Sequence, residues 1–195
     1  MTSKETELYG LVLSGGQSTR MGQDKSQIKY YHKPQVEHLY DLVSQHLPKT
    51  FVSVKKGQAV DFTENLIEDQ LETKGPINGI ISAMMLHPGK SWLVLACDLP
   101  LVNEQTLRKL IAERNPQKHA TAFATEKTKL PEPLVAIWEY QALEALKVHH
   151  LEEGKNCPRK FLLNTDIKQI FPYNDQELYN ANNPEEYEEV LKLIK

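Results

Sequence analysis

The residues with the clearest chemical potential lie between Leu11 and Lys25, which read Leu-Val-Leu-Ser-Gly-Gly-Gln-Ser-Thr-Arg-Met-Gly-Gln-Asp-Lys. Leu11 to Leu13 have the pattern of a buried strand, and Ser14, Gly15 and Gly16 break it. Two adjacent glycines let the backbone turn tightly and approach a ligand closely. Successive N–H groups in such a loop form an anion-binding concavity. Arg20 and Lys25 follow it. A guanidinium adds planar, bidentate contacts to phosphate, and an ammonium adds a point charge. The stretch is not a P-loop, because Gln23 and Asp24 separate Gly22 from Lys25, and it lacks the G-x-G-x-x-G spacing of a dinucleotide fingerprint.

Carboxylates end two further apolar runs. Leu66-Ile67 delivers Glu68 and Asp69, and the uncharged run Trp92 to Cys97 ends in Asp98-Leu99-Pro100. The second run suits a central strand covered on both faces. Open α/β sheets place ligands at the carboxyl ends of such strands, although an Asp there also serves as a plain turn cap. Lys74 to Gly79 is a second glycine loop, and its Gly75-Pro76 start opens an apolar helix over Ile80 to Leu86 with free N–H groups at its head. Two glycine loops, two cations and two strand-end carboxylates suit a nucleoside triphosphate with Mg2+, for which Asp98 is the natural hard-oxygen ligand. In the second half, Lys155, Arg159 and Lys160 make a compact basic turn, either a contact for an anionic second substrate or solvated surface. Asn183 reads as a helix cap before Pro184. Capping does not account for Asn180 and Asn182, which become site candidates at an expected strand end.

The elements that must hold these residues alternate between strand-like and helix-like, which predicts a layered α/β fold with a mostly parallel sheet. Pro34 is expected at the first position of a helix carrying Val36, Leu39, Tyr40, Val43 and Leu47 on one face. Phe51 to Val54, Ala120 to Ala124, Leu134 to Trp138 and an edge segment, Ile167 to Phe171, read as strands. Glu126 to Glu132 is a lid or hairpin, Asn103 caps a helix, and Tyr140 to Val148 is helical. At 195 residues a single domain over 1–195 is expected. A net charge of −3 gives no basic footprint for nucleic acid, and no apolar run is long enough to span a membrane. The polar first residues lack a secretion signal, and Cys97 and Cys157 form no Cys-x-x-Cys pair, so a cytoplasmic setting is expected.

The opening stretch resembles the signature of the molybdenum cofactor guanylyltransferase family. That family's pattern is Leu-x-Gly-Gly, three residues, Arg-Met-Gly, then Asp-Lys. Leu13, Gly15, Gly16, Arg20, Met21, Gly22, Asp24 and Lys25 match it, with Ser14 where Ala is usual. The resemblance continues in order through Leu66 to Asp69, Gly75-Pro76, Cys97 to Pro100 and Asn180-Ala181-Asn182. Departures are Ser53-Val54-Lys55 where the family often has an Asn, Asn78 for Ala, and Glu132-Pro133 for His-Pro.

The resemblance implies a three-layer α/β/α domain of nucleotide-diphospho-sugar transferase type with a Rossmann-like sheet. It implies transfer of GMP from GTP to molybdopterin cofactor. Leu13, Ser14, Gly15, Gly16, Arg20, Lys25, Asp69, Gly75, Pro76 and Asp98 would hold the nucleotide. Arg20, Lys25 and Asp98 would serve catalysis, and Asp98 would take the Mg2+. Arg159, Asn180 and Asn182 are the candidates for the second substrate, and proteins that deliver or accept the cofactor are candidate transient partners. Relatives that use CTP tend to carry Ala-Ala-Gly in the first loop, whereas this chain has Ser-Gly-Gly, which favours guanine. The alternatives are a cytidylyltransferase or another small nucleotidyltransferase, and a nucleotide-binding protein without catalysis.

Overall fold

The computed structural model describes residues 6–14, 25–58, 60–73 and 75–194, with position 25 described at its backbone only. Among these residues, strands β1 (Leu8–Leu13), β2 (Thr50–Val54), β3 (Leu66–Glu68), β4 (Ser91–Ala96), β5 (Ala120–Ala124), β6 (Pro131–Trp138) and β7 (Ile167–Ile170) form one sheet in the order β3-β2-β1-β4-β6-β5-β7. Only the two pairings made by β6, with β4 and with β5, are antiparallel; the other four are parallel. The carboxyl ends of β1, β2, β3 and β4 therefore share one edge of the sheet.

Period-2 alternation divides the core. In β1, Tyr9, Leu11 and Leu13 join one apolar cluster, while Leu8 and Val12 join another. The first cluster packs under helices α2 (Pro76–Leu86), α4 (Ala142–Lys147) and α5 (Pro158–Leu163). The second packs under α1 (Gln35–Ser44) and α3 (Glu104–Ala112). Central strands covered on both faces must be apolar throughout, and Trp92, Leu93, Val94 and Leu95 are all fully buried. The result is a three-layer α/β/α fold. A smaller third cluster joins Ile28 and Tyr30 to Ala181 and to Val190 of α6 (Pro184–Ile194). No helix among the described residues is long and apolar enough to cross a membrane.

Three local expectations are corrected. Pro34 is the residue before α1 rather than its first helical residue, because the Gln35 N–H is taken by the Ile28 carbonyl at 2.8 Å and His32, at φ 64°, reverses the chain just before it. The helix after the second glycine loop begins at Pro76, so Ile77, Asn78 and Gly79 belong to α2 and not to the loop. Of the lid and the hairpin expected at Glu126 to Glu132, the structure has the hairpin: residues 126–130 lie at its tip, held where the N–H groups of Glu126 and Lys127 donate to the Asp175 carboxylate. The helix at Ala142 gives way to a π-helical turn, Val148–Glu152. At the far edge, β7 is the edge strand that its sequence predicts.

Candidate active site

The site grows from the shared carboxyl edge. Ser14, 2% exposed, follows β1 and is fastened to β2 twice: its N–H donates to the Ser53 carbonyl at 3.2 Å and its Oγ donates to the same oxygen at 2.6 Å. This staple fixes where the chain leaves the sheet. Gly15, Gly16 and Arg20 lie outside the described residues, as does the side chain of Lys25. The chain returns in a 3-10 turn, Lys25–Gln27, and sinks Ile28 and Tyr30 beside Ala181.

Asp69 stands one residue beyond β3, with its N–H donating to the Val54 carbonyl at 2.9 Å. Burial pushes its carboxyl above the usual Asp range, against an opposing hydrogen bond from Ser53 and the nearby charge of Lys55. Ser53 thus serves Ser14 with its backbone and Asp69 with its side chain. The loop beyond Asp69 is tied down by Asn78, buried in the first turns of α2. Its Nδ2 donates to the carbonyls of Leu71 at 2.7 Å and Thr73 at 2.9 Å, and its Oδ1 accepts from the Leu71 N–H at 3.3 Å and from Ser82 Oγ at 3.0 Å. Gly75, at φ 114°, adopts a backbone conformation that side chains strain, and no side chain caps the α2 N-terminus there. Gly79 lets α2 approach: an added Cβ would lie 2.4 Å from Ser53 Oγ and 2.9 Å from Leu13 Cδ2.

Asp98 lies just past β4. Its carbonyl accepts the Ala181 N–H at 2.9 Å, which brings Asn180 and Asn182 to the same strand end. No strand carries these two residues, contrary to the sequence expectation; they lie between a 3-10 turn, Asp175–Leu178, and α6. The Asn182 N–H donates to Glu186 at 2.5 Å, and Asn183 caps α6 through the Glu186 N–H at 2.9 Å. The antiparallel β4–β6 register runs to Leu95 opposite Val135, and Glu132 lies near that same end of β6. The charge of Asp98 accordingly adds to burial in raising the carboxyl of Glu132 above its usual range, while the Arg159 guanidinium and the Leu134 N–H oppose the rise. Asp98 also contributes, after burial and Tyr187, to holding the Tyr30 hydroxyl well above the usual phenol range.

Arg159 sits in the first turn of α5 and reaches across to β6. Its Nε donates to the Pro131 carbonyl at 3.0 Å and its Nη2 to Glu132 at 2.6 Å. Lys155 instead pairs with Glu153 at 2.7 Å, and Lys160 is exposed, so the basic turn of the sequence disperses and only Arg159 of the three is bonded to a residue coupled to Asp98. The structure therefore brings together Leu13, Ser14, Asp69 and the head of α2 on one side, and Asp98, Arg159, Asn180 and Asn182 on the other. Since β1 and β4 are neighbours, both groups occupy adjoining strand ends. Ser53, Asn78, Glu132 and Tyr30 support them and were not singled out as site residues from sequence. A polar residue inside an apolar strand or helix was the available signal for the first two.

The family model described as the MobA-like NTP transferase domain matches residues 10–168. A protein of Synechocystis named molybdenum cofactor biosynthesis bifunctional protein is 36% identical over 190 residues, covering 95% of this chain and 54% of the relative, so the chain spans about half of that relative's length. A molybdenum cofactor guanylyltransferase of Pseudomonas entomophila is 26% identical, with 90% of this chain and 93% of the relative covered. Among solved structures, molybdopterin-guanine dinucleotide biosynthesis protein A from Archaeoglobus fulgidus superposes with a TM-score of 0.74 at 20% identity, covering 95% of this chain and 97% of that one.

Proposed function

Because this chain belongs to the MobA-like NTP transferase domain family, and is a nucleotidyltransferase, we propose that it transfers GMP from GTP to the terminal phosphate of molybdopterin cofactor and releases pyrophosphate. The observation that carries this reading is the Ala181–Asp98 backbone hydrogen bond, 2.9 Å, which holds the segment of the acceptor candidates Asn180 and Asn182 at the end of β4, the strand next to β1. On this reading the first glycine loop, from Leu13 through Gly16, cradles the triphosphate. Asp69 receives the guanine or ribose side, and Gly75 and Pro76 present the head of α2 toward the nucleotide.

Mg2+ fits the donor set at Asp98. That ion takes hard oxygen donors, one or two protein carboxylates completed by phosphates and water. Asp98 is a half-buried strand-end carboxylate whose negative field reaches both Glu132 and Tyr30. The ion would neutralise phosphate charge there. The chain's own contribution is positioning and charge: Arg20 and Lys25 offset the charge that builds on the departing pyrophosphate. Arg159, oriented by Glu132, and Asn180 and Asn182 orient the acceptor. The acceptor is a phosphate monoester with a second pKa near ~6, already mostly a dianion at neutral pH, so in-line attack on the α-phosphorus needs no general base.

The test is pyrophosphate release by the purified chain given molybdopterin cofactor and either GTP or CTP. Release with GTP well above that with CTP is the expected result. The reverse preference replaces the reading with a cytidylyltransferase, and GTP binding without release replaces it with a non-catalytic binder. Proteins that deliver or receive the cofactor are proposed transient partners.

A further inference from the structure

One buried ring bridges Thr73, in the loop before Gly75-Pro76, and Lys155, in the segment before Arg159. Val148–Glu152 is a π-helical turn closed by the Glu153 N–H on the Val148 carbonyl at 3.1 Å. π-turns of this kind concentrate at functional positions. Here the wider turn sends two consecutive histidines inward, His149 6% and His150 2% exposed. They serve different elements. His149 reaches the Cys157 carbonyl through Nε2 at 3.3 Å and meets the Phe161 ring edge-on at 5.5 Å, both on the α5 side. His150 turns to the second glycine loop, where its Nε2 lies 2.6 Å from Thr73 Oγ1. Its Nδ1 lies 3.4 Å from the Lys155 carbonyl, in the segment that leads to Arg159.

We propose that His150 is a positioning residue whose ring ties the loop entering Gly75-Pro76, on the nucleotide side, to the segment entering Arg159, on the acceptor side. A neutral ring with its proton on Nδ1 satisfies both contacts: Nδ1–H donates to Lys155 and Nε2 accepts the Thr73 hydroxyl. Thr73 is then gripped twice, by its carbonyl from Asn78 and by its hydroxyl from His150. Asn78 and Ser82 fix the loop to α2, whereas His150 links it to a part of the chain 77 residues away. The tie rests on the proposed function only for which ligand each half receives.

The experiment uses the full chain and four variants, Thr73→Val, Thr73→Ser, His150→Gln and His150→Asn. Two readouts are taken: GTP affinity by calorimetry, and amide hydrogen exchange without nucleotide. Thr73→Val removes the hydroxyl from one end of the tie. It is expected to speed exchange at 149–157, across the ring, and to weaken GTP binding about threefold to tenfold, the worth of one hydrogen bond. Thr73→Ser should restore both. Gln reproduces the Nε2 position and should keep near wild-type GTP affinity while loosening 153–157, and Asn should do the opposite. Exchange confined to the mutated side, or GTP affinity unchanged in Thr73→Val, overturns the tie. If the unmutated chain itself fails to bind GTP, the proposed function falls instead, and the exchange measurement still decides the tie.

Discussion

Asp69 and Asp98 both follow the ends of strands, but their surroundings differ. Asp98 is half-buried, and its charge contributes to raising the acidic groups of Glu132 and Tyr30 above their usual ranges, behind burial in both. Asp69 is held in a desolvated place that favours its neutral form, with Ser53 and Lys55 opposing the shift. Its folded-state pKa is raised, so the folded chain binds the extra proton more readily than the unfolded chain. That contribution to stability is fully present below the ordinary Asp value and is lost as pH rises through the raised value. Asp69→Asn should therefore raise the thermal midpoint at neutral pH, and the gain should shrink as pH falls through the raised Asp69 value; a gain that stays constant with pH in thermal melts would contradict this. The same variant should bind GTP more weakly at neutral pH, and wild-type affinity should fall toward it as Asp69 protonates. Lys25→Ala, assayed by pyrophosphate release, should cost roughly a hundredfold to a thousandfold in turnover, by analogy with other single groups that stabilise transition-state charge.

At the scale of elements, the site depends on how closely α2 lies on the sheet. Gly79 looks like a loop glycine in the sequence, yet it sits in the second turn of the helix, where Ser53 Oγ and Leu13 Cδ2 leave no room for a methyl group. Gly79→Ala should lift α2 from β1 and β2, costing about 1–3 kcal/mol in denaturant melts and weakening nucleotide binding in the same variant. Asn78→Ala removes the partners of the Leu71 and Thr73 backbone groups at once, and a loss of about 1–3 kcal/mol is expected with faster exchange across 70–73. The polar Asn78 within an apolar run was a signal, but the partners of neither residue were legible in the chain. Spacing marks Gly75-Pro76 as a helix start because positive φ and a fixed proline φ are local properties. Which residues of the following helix meet the sheet depends on a partner far away in sequence. The basic turn failed as a unit for the same reason: Lys155 and Arg159 found acids on different elements, Glu153 and Glu132.

Across the whole molecule, the sheet separates a working edge from a supporting one. At the edge opposite the site, Glu139 is fully buried, bidentate to Arg114 at 2.8 and 2.8 Å, and receives Ser91 Oγ at 2.6 Å, joining the end of α3 to β4 and β6. Arg114→Ala should leave that carboxylate uncompensated and cost about 3–5 kcal/mol in denaturant melts. The folded fraction should keep its GTP affinity, because no described site residue is bonded to the pair. The sequence by itself determined the α/β alternation, the apolar run of β4 with Asp98 just beyond it, and the cap and proline that start α6. Each of these follows from local backbone freedom, from periodicity, or from the need of a doubly covered strand to be apolar. Only the tertiary structure decided that Ser53 serves both Ser14 and Asp69, that Arg159 of α5 reaches Glu132 of β6, and that Ala181 hydrogen-bonds to the Asp98 carbonyl. Those are pairings between segments far apart in the chain, set by strand order and packing, and no local pattern encodes which distant partner a residue will meet.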